Sequence, residues 1–182
     1  MIYSDEELVR KILESLRKVQ WESYADNPWN KTPEFDCINP DVFPIEKGVY
    51  SFNNCDTPET YYIGKAEIGC RNRLDKKLKA DWKETRVSKE FRDGVWHHEY
   101  EYLTDYQLYT SRICCRTVEN DDFSARELES VLLAAYYVSF GRIPKTNRTG
   151  VPALSRNENL HADLREIGKL MFENVSSLKI IL

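Results

Sequence analysis

In this 182-residue chain, two short segments that contain tyrosine and glycine have residue types and a spacing that suggest chemistry. Gly48-Val49-Tyr50 is followed, after eleven intervening residues, by Tyr62-Ile63-Gly64. Side chains alternate between the two faces of a strand, so two paired strands here could bring both phenols to one patch. Glycine in a strand often marks the close approach of a ligand, which would suit a phosphate beside Gly64. The alternative is that both tyrosines are ordinary strand residues that pack their rings.

Basic side chains follow the second segment at helical spacing. Leu74, Leu78 and Trp82 recur every four residues, which predicts a helix with one buried stripe. Arg73 and Lys77 are also four residues apart and lie beside that stripe, so both could hold one phosphate. The planar guanidinium of arginine matches phosphate oxygens well. The alternative is a solvated basic face.

The order of these motifs resembles the GIY-YIG nuclease family, over about residues 47 to 148. Five elements in the family's order, each on the expected local structure, are more specific than one tripeptide. The resemblance implies a three-stranded antiparallel sheet between helices, and cleavage of phosphodiester bonds with one divalent metal ion. It is closest to stand-alone members of the restriction or defence type. The five elements are Gly48-Val49-Tyr50, Tyr62-Ile63-Gly64-Lys65-Ala66, Asn72-Arg73-Leu74, Leu128-Glu129 and Pro144-Lys145-Thr146-Asn147.

The resemblance also implies a role for each matching residue. Tyr50 would help to deprotonate the attacking water, and Tyr62 and Arg73 would hold the scissile phosphate. Lys77, which stands where relatives often have His or Tyr, is expected to assist Tyr50. A free phenol has a pKa of about 10, so nearby cations would have to lower the pKa of Tyr50 for this role at neutral pH. Asn147 would support the geometry, although without the resemblance it is only a turn residue.

Two carboxylates compete for the metal ion, Glu127 and Glu129. Glu127 is the third residue after Ser124 in a capping box and is used there. Glu129 borders the apolar stripe of the same helix, where a carboxylate is costly unless it is paired or bound to a cation, so Glu129 is the predicted ligand. Oxygen ligation completed by the substrate phosphate suits Mg²⁺, or Mn²⁺ in its place, better than zinc. The alternative is a helix glutamate paired with Arg126 or solvated.

Charge is distributed unevenly along the chain, whose formal net charge is −4. Residues 65 to 92 carry 10 basic against 5 acidic side chains, and residues 141 to 156 carry 4 against 0. This distribution predicts a basic face that binds nucleic acid. Double-stranded DNA is the favoured partner, with single-stranded DNA or RNA as alternatives, and a homodimer is compatible with the sequence. The expected nucleic-acid contacts are Lys65, Arg71, Lys76, Lys145 and Arg148.

The expected fold class is α+β, with a small three-stranded antiparallel sheet flanked by helices. Residues 1–46 are expected to form an N-terminal helix and an irregular lead-in, residues 47–150 the nuclease core, and residues 151–182 a C-terminal helical extension. Capping boxes that start at Ser4, Ser124 and Ser155 predict three helix starts. The third strand is expected over residues 109–118, and a further strand over residues 95–103.

Several other classes of protein are excluded by the sequence. Five cysteines without a C-x-x-C pair support neither a disulfide framework nor a zinc site. There is no apolar run long enough for a membrane span and no signal-peptide pattern at the start, so we expect a cytoplasmic protein without a membrane partner. Adjacent His97 and His98 would point in opposite directions on a strand and are not expected to bind metal. A catalytically inactive binding module of the same fold and an RNA-directed nuclease are the competing functions.

Overall fold

A computed structural model of the chain describes residues 3–26, 40–78, 110–144, 147 and 149–178. Short 3-10 helices at Pro40–Val42, Ala153–Arg156, Glu158–Leu160 and Val175–Ser177 connect the main elements. In chain order, those elements are α1 (Asp5–Leu16), β1 (Glu22–Asp26), β2 (Gly48–Asn54), β3 (Thr60–Ala66), α2 (Cys70–Leu78), β4 (Ser111–Thr117), α3 (Ala125–Phe140) and α4 (His161–Phe172).

The four strands form one antiparallel sheet in the order β1-β4-β2-β3, which places β2 inside the sheet and β3 at an edge. The α+β class is therefore confirmed, but the expectation of three strands is wrong. The fourth strand is β1, which lies in the segment expected to be irregular. It has only five residues, and a register shift between Ser23 and Ala25 interrupts its pairing with β4. So short and interrupted a strand gives too little alternation to be read from sequence.

Two of the three predicted capping boxes are confirmed. The Ser4 hydroxyl accepts from the Glu7 N–H at 3.2 Å while the Glu7 carboxylate accepts from the Ser4 N–H at 3.0 Å, and Ser124 makes the same reciprocal pair with Glu127. α3 then ends at Gly141, whose φ of 70° is a left-handed conformation that glycine adopts without strain.

The third capping box is wrong. The Ser155 N–H donates to the Pro152 carbonyl at 3.1 Å and so closes a 3-10 turn, and the Ser155 hydroxyl donates to the same carbonyl at 2.6 Å. α4 begins only at His161, after a second 3-10 turn whose N-cap is Asn157. Ser and Asn satisfy backbone groups in turns as readily as at helix starts, so the local pattern did not separate the two outcomes.

Alternation along the strands divides the core into two clusters. Val49 and Ile63 point to the face covered by α1, α3 and α4. Tyr50 and Phe52 point to the opposite face, where they pack with Leu74 of α2. The expectation that the tyrosines and their apolar neighbours point to opposite layers is confirmed. Helices from the N-terminal, central and C-terminal parts share the first cluster, and the boundaries between those parts stay a prediction.

Four of the five cysteines lie in the described part of the chain, and all four are free thiols. Burial raises the pKa of Cys114 to about 12, which keeps it protonated at neutral pH, as expected of a small apolar core residue. Within the described residues, no helix combines the length and the apolar character needed to cross a membrane. Outside them lie the predicted strand over residues 95–103, the histidines His97 and His98, and the predicted contacts Lys145 and Arg148.

Candidate functional site

The pairing of β2 with β3 brings the two phenols to one patch around Gly64. In the register of these strands Tyr50 is opposite Gly64, and Phe52 is opposite Tyr62. The rings of Tyr50 and Tyr62 have centroids 5.9 Å apart. A Cβ atom placed on Gly64 would lie 2.7 Å from the Tyr50 hydroxyl oxygen and 2.5 Å from Cε1 of Tyr62. Both phenols therefore occupy space that only a glycine leaves open.

Arg73 reaches this patch from the first turns of α2. The start of the helix is held by the segment before β2, since the N–H of Cys70 donates to the Glu46 carbonyl at 2.9 Å. Gly69, with φ of 113°, makes the turn into the helix. From there the Arg73 charge lowers the pKa of the Tyr50 phenol. The structure thus brings Tyr50, Tyr62 and Arg73 together.

The Tyr50 side chain is fully buried, at 0% exposure, whereas Tyr62 and Arg73 are half-buried. Burial raises the pKa of the Tyr50 hydroxyl well above its ordinary value, and the Arg73 charge only partly opposes this. Tyr50 is therefore a neutral phenol at neutral pH. A neutral phenol can donate a hydrogen bond, but it is a poor acceptor for a proton from water.

Glu129 lies at the open edge of β3. Its Oε1 accepts from the main-chain N–H of Lys65 at 3.1 Å, and its Oε2 is 3.8 Å from Nζ of the same lysine. Burial raises the pKa of Glu129, while the Lys65 charge and N–H oppose the rise. Because Lys65 follows Gly64 directly, bond lengths limit the separation of the Glu129 carboxylate from the Tyr50 hydroxyl to about 10 Å.

The alternative carboxylate, Glu127, is used as the sequence predicts. Its Oε2 accepts from both the main-chain N–H and the hydroxyl of Ser124 at 2.7 Å. Arg126, one turn before Glu129, reaches Glu67 at 3.7 Å rather than Glu129. Along the same strand end, therefore, Lys65 pairs with Glu129 and Glu67 with Arg126, which sets the position of α3 against β3.

Asn147 binds the backbone of β3. Its Oδ1 accepts from the Ile63 N–H at 2.9 Å, and its Nδ2 donates to the Ile63 carbonyl at 2.7 Å. Both ends of the buried amide are thus used by the strand next to Gly64. In this structure both the oxygen and the nitrogen of the Asn147 amide are therefore engaged by the backbone of Ile63.

The predicted nucleic-acid contacts do not all lie near Tyr50, Tyr62 and Arg73. Arg71 turns away from the phenols and donates to the carbonyls of Phe43 at 3.0 Å and Asp41 at 2.8 Å. Lys65 is at the site, in its ion pair with Glu129. The side chains of Lys76 and Lys77 lie outside the described part of the structure, although both residues belong to α2.

Glu129 is the carboxylate that this site could offer to a metal ion, and its Oε2 lies 3.8 Å from the Lys65 ammonium. Within the residues that the structure describes, no three His, Cys, Asp or Glu side chains come together as a metal site. Zinc sites need three or four such protein ligands. Mg²⁺ is commonly held by one or two carboxylates, and water and substrate phosphate supply its other ligands. A half-buried carboxylate with a raised pKa would also be stabilised by a cation.

Phe52 is a residue of the site that the sequence reading does not single out. Its ring packs against both phenols, with centroids 5.7 Å from Tyr50 and 5.9 Å from Tyr62. The signal available in the sequence is its position two residues after Tyr50, which places both side chains on one face of β2.

Comparison with known proteins finds no relative of this chain. No family model, curated protein or solved structure matches the chain.

Proposed function

We propose that this chain is a divalent-metal-dependent endonuclease of the GIY-YIG type that hydrolyses DNA phosphodiester bonds. The observation that supports it best is the convergence on Gly64. Both phenols fill the space that a side chain at Gly64 would take, the Arg73 charge lowers the pKa of the Tyr50 phenol, and the next residue, Lys65, binds Glu129. Two phenols and a guanidinium on one face of β3, with the Lys65–Glu129 ion pair at its open edge, suit the charge and hydrogen-bonding needs of a phosphate.

In this proposal Arg73 and Tyr62 bind the scissile phosphate, because both are accessible and both are donors. The guanidinium stabilises the negative charge that increases on the phosphate oxygens as the pentacoordinate transition state forms. Glu129 would hold the metal ion, which when bound stabilises charge on the leaving oxygen. Asn147 keeps the edge of β3, and with it Gly64, in place.

Tyr50 takes a different role from the one that the resemblance implies. With its pKa held well above the ordinary value, the phenol stays protonated at neutral pH, and its oxygen can accept a hydrogen bond from a guanidinium. It interacts with Arg73, so we propose that it orients the guanidinium against the phosphate. Lys77 stays a candidate partner in proton transfer.

A nicking assay on supercoiled plasmid with Mg²⁺ tests the proposal. Glu129→Gln keeps an acceptor for the Lys65 N–H but removes the negative charge, so we expect cleavage to fall by about 100-fold or more. Glu127→Gln is the matched control on the same helix, since glutamine also completes a capping box, and it should cut at the wild-type rate. Equal rates for the two variants would contradict the assignment of Glu129.

A second pair of variants tests the phosphate contact. Arg73→Gln should lower cleavage strongly, whereas Arg71→Gln should affect mainly folding, because Arg71 binds main-chain carbonyls of the Asp41–Phe43 turn. Duplex DNA, single-stranded DNA and RNA of one sequence, compared as substrates, decide which nucleic acid is cut.

The competing function is a binding module that keeps this fold without cleavage. The complete burial of the Tyr50 side chain favours it, since no solvent reaches that hydroxyl. A binding module would retain DNA or RNA binding in a salt-dependent mobility-shift assay and show no metal-dependent nicking. Nicking that depends on Glu129 would exclude it.

A further inference from the structure

Three aromatic rings meet at the candidate site. The centroids of Tyr50, Phe52 and Tyr62 form a nearly equilateral triangle, with sides of 5.7, 5.9 and 5.9 Å. All three separations lie in the range where aromatic rings attract one another. Phe52 itself is 1% exposed and carries no polar atom, so it has no direct part in binding a phosphate.

Gly64 and Phe52 limit the positions that the two phenols can take. On one side lies Gly64, whose missing side chain leaves the space that they occupy. The ring of Phe52 lies against both of them as well, because register pairs it with Tyr62 and alternation places it beside Tyr50 on the same face. The orientation of the Tyr62 ring depends most on Phe52. The Tyr62 ring is half-exposed, and its plane lies at 29° to the plane of the Phe52 ring.

We propose that Phe52 is a positioning residue, whose ring fixes the orientation of the Tyr62 phenol at the reacting phosphate and of the buried Tyr50 phenol beside Arg73. This inference rests on the proposed nuclease function. A smaller side chain at position 52 would leave room for both phenols to turn, and a shift of about 1 Å at a reacting group can cost about 100-fold in rate.

The test compares Phe52→Leu with Phe43→Leu. Phe43 is a matched control because it is also 1% exposed, belongs to the same core cluster, and has its ring contact with Tyr24, at 6.0 Å. Both variants lose an equal volume of buried ring, so both should lose similar stability. In plasmid nicking at a temperature where both are folded, Phe52→Leu should lower kcat by at least about tenfold with little change in KM. Phe43→Leu should stay within about twofold of wild type in both constants.

A second measurement does not depend on cleavage. Ring centres 5.9 Å apart should give an NMR cross-relaxation signal between the ring protons of Tyr50 and Tyr62, assigned with Tyr50→Phe. The signal should weaken in Phe52→Leu and persist in Phe43→Leu. If both variants keep wild-type kcat and the same ring signal, the positioning role is overturned. Absence of cleavage by the wild-type chain would overturn the nuclease function instead, and the ring signal would still decide whether Phe52 holds the phenols.

Discussion

Replacement of Gly64 by alanine should change the geometry of the site, and with it cleavage, much more than it changes the stability of the fold. The backbone at Gly64 is not in the left-handed region, so alanine meets no conformational barrier there. Judged by the backbone alone, alanine in a strand would stabilise the protein by about 0.5 to 1 kcal/mol relative to glycine. The new methyl group, however, would lie 2.5 Å from Tyr62 and 2.7 Å from the Tyr50 hydroxyl, each about 1 Å closer than an ordinary contact.

The two phenols have to yield, and Tyr50 has little room to do so, because it is completely buried against Phe52 and Tyr62. Overpacking of this kind costs about 1 to 3 kcal/mol. With the backbone gain subtracted, we expect Gly64→Ala to lose about 1 kcal/mol, which leaves the protein folded at 25 °C. The displacement of the phenols by about 1 Å should lower cleavage about 100-fold.

The assay pairs urea denaturation with plasmid nicking, and Gly150→Ala serves as the control, since a Cβ there meets nothing within 4 Å. A Gly64→Ala protein that is more stable than wild type and cuts normally would refute the close approach of the phenols. A loss of cleavage only in proportion to the unfolded fraction would refute their role in the reaction.

Further predictions concern ionisation and the edge of β3. The raised pKa of Glu129 means that the folded state binds this proton more tightly than the unfolded state, so its contribution to stability decreases as pH rises from the unfolded value through the raised one. Glu129→Gln should therefore flatten the pH dependence of the unfolding free energy in that window, as measured by urea denaturation across pH. The pKa of Tyr50 lies well above its ordinary value, so Tyr50→Phe should lower the cleavage rate without changing how that rate depends on pH between about pH 7 and 9. A changed slope of the rate against pH in this range would identify Tyr50 as the base. Asn147→Ala leaves the N–H and the carbonyl of Ile63 without their partner and should lower the unfolding free energy by about 1 to 3 kcal/mol, whereas unchanged stability would show that water replaces the amide.

Strand alternation and helix capping were the parts of the fold that the sequence predicted well. Tyr50 and Ile63 point to opposite faces because a strand has a period of two, and Ser124 with Glu127 begins α3 because the backbone groups there need partners. The short strand β1 was missed because five residues with an interrupted register carry little pattern. It is held in the sheet by backbone pairing with β4, which is far away in the sequence, and by an ion pair in which Arg112 of β4 binds Asp26 at 2.6 Å.

The sequence also separated Glu127 from Glu129, since the capping box accounts for the first. It did not show how Asn147 is used, because its contact with Ile63 joins residues 84 positions apart. The protonation state of Tyr50 could not be predicted from the sequence either. The sequence suggests cations beside the phenol that would lower its pKa, but the burial that outweighs them depends on packing between β2 and α2.

The position of the candidate site at the edge of the sheet explains how such distant residues converge. An edge strand presents N–H and carbonyl groups that need partners, and in β3 the side chains of Asn147 and Glu129 supply them at Ile63 and Lys65. Both side chains are thus located by hydrogen bonds to the residues on either side of Gly64. A slip of β3 by one residue would move Tyr62 to the opposite face and also break these bonds. The register of β2 with β3 is therefore the single structural feature on which the phenols, the carboxylate and the supporting amide all depend.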